Sequence, residues 1–307
     1  MKRKPVIYFL LGAVIAASVF SVVAFKVNDN DENVVEVKKN KKLQYKWYIP
    51  DIPEQIEFAG EPVPLHRWDV REQLEREVLT NSYYHTSTLY ILRLQSRYFP
   101  TIERRLKANG VPDDFKYLCV AESALRNQIS GAGAVGFWQF MKGTAPRYGL
   151  EVTSEVDERY DVEKSTDAAC KYLKEAYEKF GSWTAAAASY NCGQAGFNKF
   201  SSYQQKDNYY DLLLPEETMR YVFRILALKH IMSNAKELGF VVYDDDAYQP
   251  LAIREIEVKE TITNLADFAL YNNSNYRMLK LLNPWLRGHA LTVKNGKTYT
   301  VKLPAKK

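Results

Sequence analysis

Cysteine and histidine are scarce in this chain, three and four among 307 residues. Cys119, Cys170 and Cys192 have no Cys-x-x-Cys spacing and no histidine at ligand spacing, so neither a metal site nor a cofactor is expected. An odd cysteine count leaves at least one thiol unpaired within the chain. Cys119 lies in an apolar run and reads as a small buried hydrophobe; whether Cys170 and Cys192 pair stays open. Blocks of like charge are missing too. The net charge is only +5, and the run Lys38–Lys42, broken by Asn40, reads as a solvated linker, so no nucleic-acid partner is expected. The glycine-rich stretch from Ser130 to Gly136 lacks the preceding strand and the Gly-Lys-Ser/Thr ending of a phosphate loop. From His66 to about Gly239 no stretch alternates as a strand.

What is present describes an ordinary folded protein with unusual edges. Apolar residues make up 46% and charged residues 26%, a globular balance. Tyrosine occurs 22 times; a flat apolar ring with a polar tip suits a sugar or peptide groove as well as a core. Near the amino terminus, Val6–Phe25 carries no charge. At helical rise it spans roughly 30 Å, the thickness of a bilayer core. Lys2, Arg3 and Lys4 precede it, which keeps the start in the cytoplasm and exports the rest. Residues 1–26 are therefore expected to be an uncleaved membrane helix. Cleavage of a signal peptide is the alternative, but Ser21-Val-Val-Ala24-Phe is a poor cleavage site. No cysteine lies nearby to carry a lipid.

Residues 27–65 are expected to be a polar tether followed by a proline-rich strap holding Pro50, Pro53, Pro62 and Pro64. Residues 66–242 read as an all-α domain. Val70, Leu74 and Val78 step by four in a charged first helix. Tyr90–Lys107 reads as a second helix interrupted by Pro100. Pro112 opens the next at a first-turn position, with Asp113 and Asp114 suiting the helix dipole. Asp161–Phe180, Trp183–Tyr190 and Glu216–Leu238 complete the set. Residues 243–252 form an acidic linker. In residues 253–307, Ile253–Val258 and Thr298–Leu303 read as strands flanking helices at Asn264–Tyr271 and Tyr276–Leu282, a small β-α-α-β unit.

The chemistry concentrates at Glu122. Phe115, Leu118, Cys119 and Glu122 share one face of a helix that is apolar nearly all round, so this carboxyl ends a buried helix on its inward side. Burial favours the protonated form, which a general acid needs near neutrality. A structural carboxylate capped by arginine or backbone groups is the plain alternative. The stretch that follows changes the balance. Glycines from Ser130 to Gly136 let backbone pass close to a substrate, and Trp138, Gln139 and Met141 then read as a wall against sugar.

Together these stretches resemble a family. Glu122-Ser123, then Ser130, Gly133-Ala134, Gly136-Phe-Trp-Gln139 and Met141, then Ser189-Tyr190-Asn191-x-Gly193, then Leu214-Pro-Glu-Glu217-Thr218-x-x-Tyr221-Val222, follow the order and spacing of the lysozyme-like (SLT) lytic transglycosylases. The likeness is strongest to the membrane-bound type-D murein transglycosylases, which add carboxy-terminal LysM modules. The resemblance implies a lysozyme-like fold and cleavage of the glycan strands of peptidoglycan without cofactor or metal. It implies that Glu122 is the catalytic acid and base, and that Ser123 hydrogen-bonds near it. Ser130, Gln139 and Met141 are expected along the sugar groove, with Tyr190 and Asn191 beside the catalytic carboxyl. Glu217 is expected as a supporting acid and Tyr221 as a further substrate-binding residue. Asn127, Ser189 and Trp138 depart from the family's usual residues, which bears on loop shape and sugar preference. The carboxy-terminal unit is similar to a LysM module but lacks the usual Gly-Asp before Thr261, so it either binds glycan weakly or only packs. The implied location is the cell envelope: anchored in the inner membrane with the catalytic domain in the periplasm, or released there after cleavage. Other cell-wall enzymes are the partners it suggests. A hydrolytic muramidase and a non-catalytic peptidoglycan-binding protein are the competing readings.

Overall fold

The computed structural model describes residues 48–294 and 296–305, and from Ile49 onward these belong to one compact unit. The membrane helix expected over residues 1–26, and the tether after it, lie outside the described residues. Among the described residues no helix is long and apolar enough to cross a membrane.

Among the described residues seven α-helices precede the carboxy-terminal unit: α1 (Trp68–Tyr83), α2 (His85–Ala108), α3 (Phe115–Ser123), α4 (Val162–Phe180), α5 (Trp183–Cys192), α6 (Gln194–Gln204) and α7 (Glu216–Ser233). α7 is the hub, packing against α1, α3 and α5. Val70, Leu74 and Val78 of α1 are buried, as their spacing predicts. Ala185, Ala186, Ala187 and Ala188 are fully buried on α5; their small side chains let α4, α6 and α7 close around it. Asp161 caps α4 by accepting from the amides of Glu163 and Lys164, which satisfies donors left over in the first turn.

Several local expectations are corrected. α2 is not interrupted at Pro100 but runs through it. Pro100 removes the bond that the Ser96 carbonyl would have accepted and crowds that carbonyl, and burial of Ile91, Leu94, Phe99 and Ile102 on both sides of it offsets the cost. Pro112 is not in a first turn: α3 begins only at Phe115. Asp114 is engaged elsewhere, accepting from Ala59 N and Lys229 Nζ, each at 2.7 Å. The long last helix stops at Ser233, short of Leu238. α6 has no counterpart in the sequence reading, because it buries only Phe197 and Ser201 and so shows no apolar stripe. Cys119, Cys170 and Cys192 are all free.

The proline-rich strap folds over the domain with a tight hairpin, β1 (Glu57–Phe58) paired to β2 (Glu61–Pro62). Phe58 is fully buried, with its ring 5.1 Å from that of Phe115. The Glu61 carboxylate accepts from the Ser182 and Thr184 hydroxyls and from the amides of Trp183 and Thr184. It thereby neutralises the positive amino end of α5.

The carboxy-terminal unit matches its expected order: β3 (Ile253–Val258), α8 (Leu265–Tyr271), α9 (Tyr276–Leu282) and β4 (Tyr299–Pro304). The strands are antiparallel, from Ile253 opposite Pro304 to Val258 opposite Tyr299. Its core includes Leu279, Trp285, Leu286 and Tyr299, and also Val135, Val156 and Tyr160 from the helical domain. Val156 and Leu286 form an antiparallel bridge. Two backbone bonds flank it, Asp157 N to Trp285 O at 2.8 Å and Arg287 N to Glu155 O at 2.7 Å.

Candidate active site

Glu122 stands one residue from the end of α3, and the chain then turns sharply. Ala124 and Leu125 both adopt left-handed backbone, φ 51° and 56°, a conformation that costs roughly 1–2 kcal/mol per non-glycine residue. Ala124 N closes the helix on Val120 O at 2.7 Å, and the fully buried Leu125 anchors the turn. The helix therefore ends where its apolar face delivers a carboxyl. Glu122 is half-buried and retains some accessible surface.

Its electrostatic setting comes mainly from α7. Burial pushes the Glu122 carboxyl up to about 7, well above its ordinary 4.5. The hydrogen bond donated by Tyr221 and the charge of Arg224 oppose that rise, while the charge of Glu217 adds to it. Tyr221 itself is fully enclosed; burial and then the neighbouring Glu122 raise its own hydroxyl well above the usual range. Tyr190, at the end of α5, is raised in the same way by burial and by Glu122. Its hydroxyl donates to Trp138 O at 2.7 Å. A carboxyl that binds a proton near neutrality, beside two tyrosine rings, is equipped to give and to retake a proton.

The glycine stretch is built as a rigid loop. Ser130 N bonds Ala134 O, and the Ser130 hydroxyl accepts from Ala134 N. Val135 bridges to both Ile129 and Phe140. Gly136 has φ 87°, and a Cβ there would stand 1.9 Å from Arg159 O, so no other residue fits. Arg159 is buried and paired to Asp157, and also donates to Phe140 O at 3.1 Å. Gln139 takes a left-handed φ of 49°. Its amide is committed to the backbone of its own loop, donating to Gly136 O at 2.7 Å and Gln128 O at 3.2 Å. Asn127 donates to Tyr160 O at 3.0 Å.

The other expected site residues divide. Met141 is exposed. Asn191 accepts from the Thr218 hydroxyl at 2.8 Å, fastening α5 to α7. Ser123 is buried, with its hydroxyl spent on Cys119 O. Glu217 is exposed and pairs with Arg224 Nη1 at 2.9 Å. Trp138 corrects the expectation of a tryptophan wall against sugar: it is fully buried, with its indole N–H on Thr166 Oγ1 at 2.8 Å. Its apolar bulk fills the core under the loop. Arg224 escaped the sequence reading, although it lies seven residues from Glu217 and three from Tyr221, on the same helical face.

Residues 99–213 match the model of the transglycosylase SLT domain, and residues 254–307 that of the soluble lytic transglycosylase C-terminal LysM-like domain. The chain contains an SLT domain. Glu122, Ser123, Ser130, Gln139, Met141, Tyr190 and Asn191 all fall within the span matched to the SLT domain, whereas Glu217 and Tyr221 lie just beyond it. The chain is also 31% identical over 228 residues to the membrane-bound lytic murein transglycosylase D of Escherichia coli strain K12, and equally to that of strain O6:H1. The aligned region takes in 72% of this chain and 49% of each relative, so the chain spans about half the length of the curated relatives it matches.

Proposed function

We propose that the chain is a lytic transglycosylase that cleaves the β-1,4 bond from N-acetylmuramic acid to N-acetylglucosamine in peptidoglycan. The observation that carries this reading is the Glu122 carboxyl, raised to about 7 by burial and bonded to Tyr221. Glu122 first protonates the glycosidic oxygen as its bond to C1 breaks. The resulting carboxylate then takes the proton of the muramyl 6-hydroxyl while that oxygen bonds C1. One acid thus serves both halves, the product ends in a 1,6-anhydromuramyl ring, and no water is consumed. Ser130, Gln139 and Met141 are proposed along the sugar groove; Tyr190, Asn191 and Tyr221 organise the carboxyl end of it. The SLT domain and the names of the E. coli relatives support this assignment.

A hydrolytic muramidase is the second reading. Glycosidases that use water place a second carboxylate across the bond. Glu217 is the nearby acid whose charge reaches Glu122, but its carboxylate is engaged by Arg224 Nη1 at 2.9 Å. Mass spectrometry of digested sacculi separates the two: transglycosylase products are lighter by one water, and products bearing only reducing ends would establish the muramidase. Glu122→Gln is expected to abolish turnover in either case, and a fully active variant would show that Glu122 is not the acid; a wild-type chain that binds sacculi without any turnover would leave only the reading as a non-catalytic wall-binding protein.

The lysozyme-like character of the helical domain, its limits at residues 66–242, and the anchoring of residues 1–26 in the inner membrane belong to the same proposal. They place the enzyme in the periplasm against the wall, where other wall enzymes are its expected partners. The E. coli relatives are described as membrane-bound.

A further inference from the structure

Glu77 sits on the inward face of α1, between Leu74 and Val78, where an apolar residue would pack without cost. Its side chain is 1% exposed. Its Oε1 accepts from Arg220 Nε at 2.6 Å. Its Oε2 lies 3.7 Å from Arg224 Nε and takes part in no hydrogen bond. Arg224 turns the far edge of its guanidinium to Glu217. Arg220 and Arg224 therefore flank Tyr221 along α7, and Tyr221 donates to Glu122. A cavity of about 240 Å³, lined by Glu77, Asn81, Tyr84, Arg220 and Arg224 among others, runs beside this cluster. A carboxylate this deep is costly to desolvate and needs its charged partners to stay in place.

We propose that Glu77 is a positioning residue of the Glu122 centre: from beneath, it holds Arg224 against Glu217 and offsets the positive charge that α7 presents beside Tyr221. The proposal rests on the reading of Glu122 as the acid. Around Glu122 the titratable and charged groups are Tyr221, Arg224 and Glu217 from α7, Tyr190 from α5 and Cys119 from α3. Around Glu77 they are Arg220 and Arg224, and Tyr209 from the turn before α7. Arg224 is the link between the two sets. Without Glu77 its charge falls more fully on Glu122 and favours the carboxylate, which has no proton to give.

The test is the pH dependence of sacculus digestion by the full chain, with Glu122 titrated in parallel by NMR of carboxyl-labelled glutamate. Glu77→Gln should move the alkaline limb, and the Glu122 titration, down by about half a unit or more. Arg224→Gln should move both up, and the double variant should return them toward the wild type. Glu77→Asp, which keeps the charge, should restore the limb. A purely structural Glu77 lowers activity equally at every pH and leaves the titration where it was, which overturns the proposal. If Glu77→Gln does not fold, Arg224→Gln decides alone, since a limb that it fails to raise removes the only route from Glu77 to Glu122. Failure of the functional reading looks different: Glu122→Gln then retains turnover, whatever the titration does.

Discussion

Tyr221 on α7 donates its hydroxyl to the Glu122 carboxyl at the end of α3. The two side chains come from elements about a hundred residues apart in the chain, and their meeting turns two separate motifs into one site. The bond stabilises the carboxylate against the burial that disfavours it. Tyr221→Phe keeps the ring and deletes the bond, so Glu122 is expected to bind its proton more tightly. The alkaline limb of the pH–rate profile should rise by about one unit. A limb that stays put would mean that the bond is absent in solution.

Burial of Glu122 also sets a stability dependence with a definite sign. The ordinary 4.5 describes the unfolded chain and about 7 the folded one. Below the first value both states hold the proton. Between the two the unfolded chain gives it up first, so stability falls as pH rises, and above about 7 the loss is complete, on the order of 3 kcal/mol. Glu122→Gln removes this titration. The variant should match the wild type near about pH 4 and melt higher at about pH 8. Melting curves taken across that interval check it; a constant difference between the two proteins would contradict the buried carboxyl.

Gly136 and Gly133 make a paired comparison within one loop. Both have positive φ, 87° and 83°. Only at Gly136 does a Cβ meet backbone, 1.9 Å from Arg159 O, whereas at Gly133 nothing lies within 4 Å. Gly133→Ala should cost about 1 kcal/mol through backbone strain alone. Gly136→Ala must also push away the segment held by Arg159 and is expected to lose about 2–4 kcal/mol, with activity falling alongside. Urea unfolding of the two variants compares them, and equal losses would mean that the loop and the Arg159 segment are not in contact.

Glu61 predicts a long-range cap. Its carboxylate serves the amino end of α5, whose other end carries Tyr190 and Asn191. Glu61→Gln keeps the shape and removes the charge, and should lower stability by about 1 kcal/mol, with Glu61→Ala costing about 2. The loss should shrink in high salt as screening replaces the missing charge effect, and denaturant titration at two salt concentrations measures both.

Much of this was written in local spacing. The repeat of Val70, Leu74 and Val78 gave α1, and the alternation of Ile253–Val258 gave β3 residue for residue. The face shared by Phe115, Leu118, Cys119 and Glu122 put the carboxyl against the core before any coordinates. What spacing could not supply was contact across the chain. Nothing near Trp138 tells that its ring faces Thr166 and the interior instead of solvent, and nothing near Glu61 announces the start of α5. Pro100 misled for the opposite reason: a local rule against proline in helices was overridden by burial on both sides of it. Arg224 and Glu77 each lie on a helical face that apolar spacing traces, but spacing alone does not tell which charged residue turns inward to meet another helix.

The bridge from Val156 to Leu286 ties the two halves of the molecule into a single mechanical chain. Contacts run from Tyr299 of β4, stacked on Trp285, to Asp157, on to its partner Arg159, and so to the carbonyl that leaves no room for a side chain at Gly136. Removal of the last strand would therefore uncover Val135, Val156 and Tyr160, which share a core with Tyr299, Val301 and Leu303, so the small carboxy-terminal unit braces the loop that holds Gly136 whether or not it ever meets a sugar.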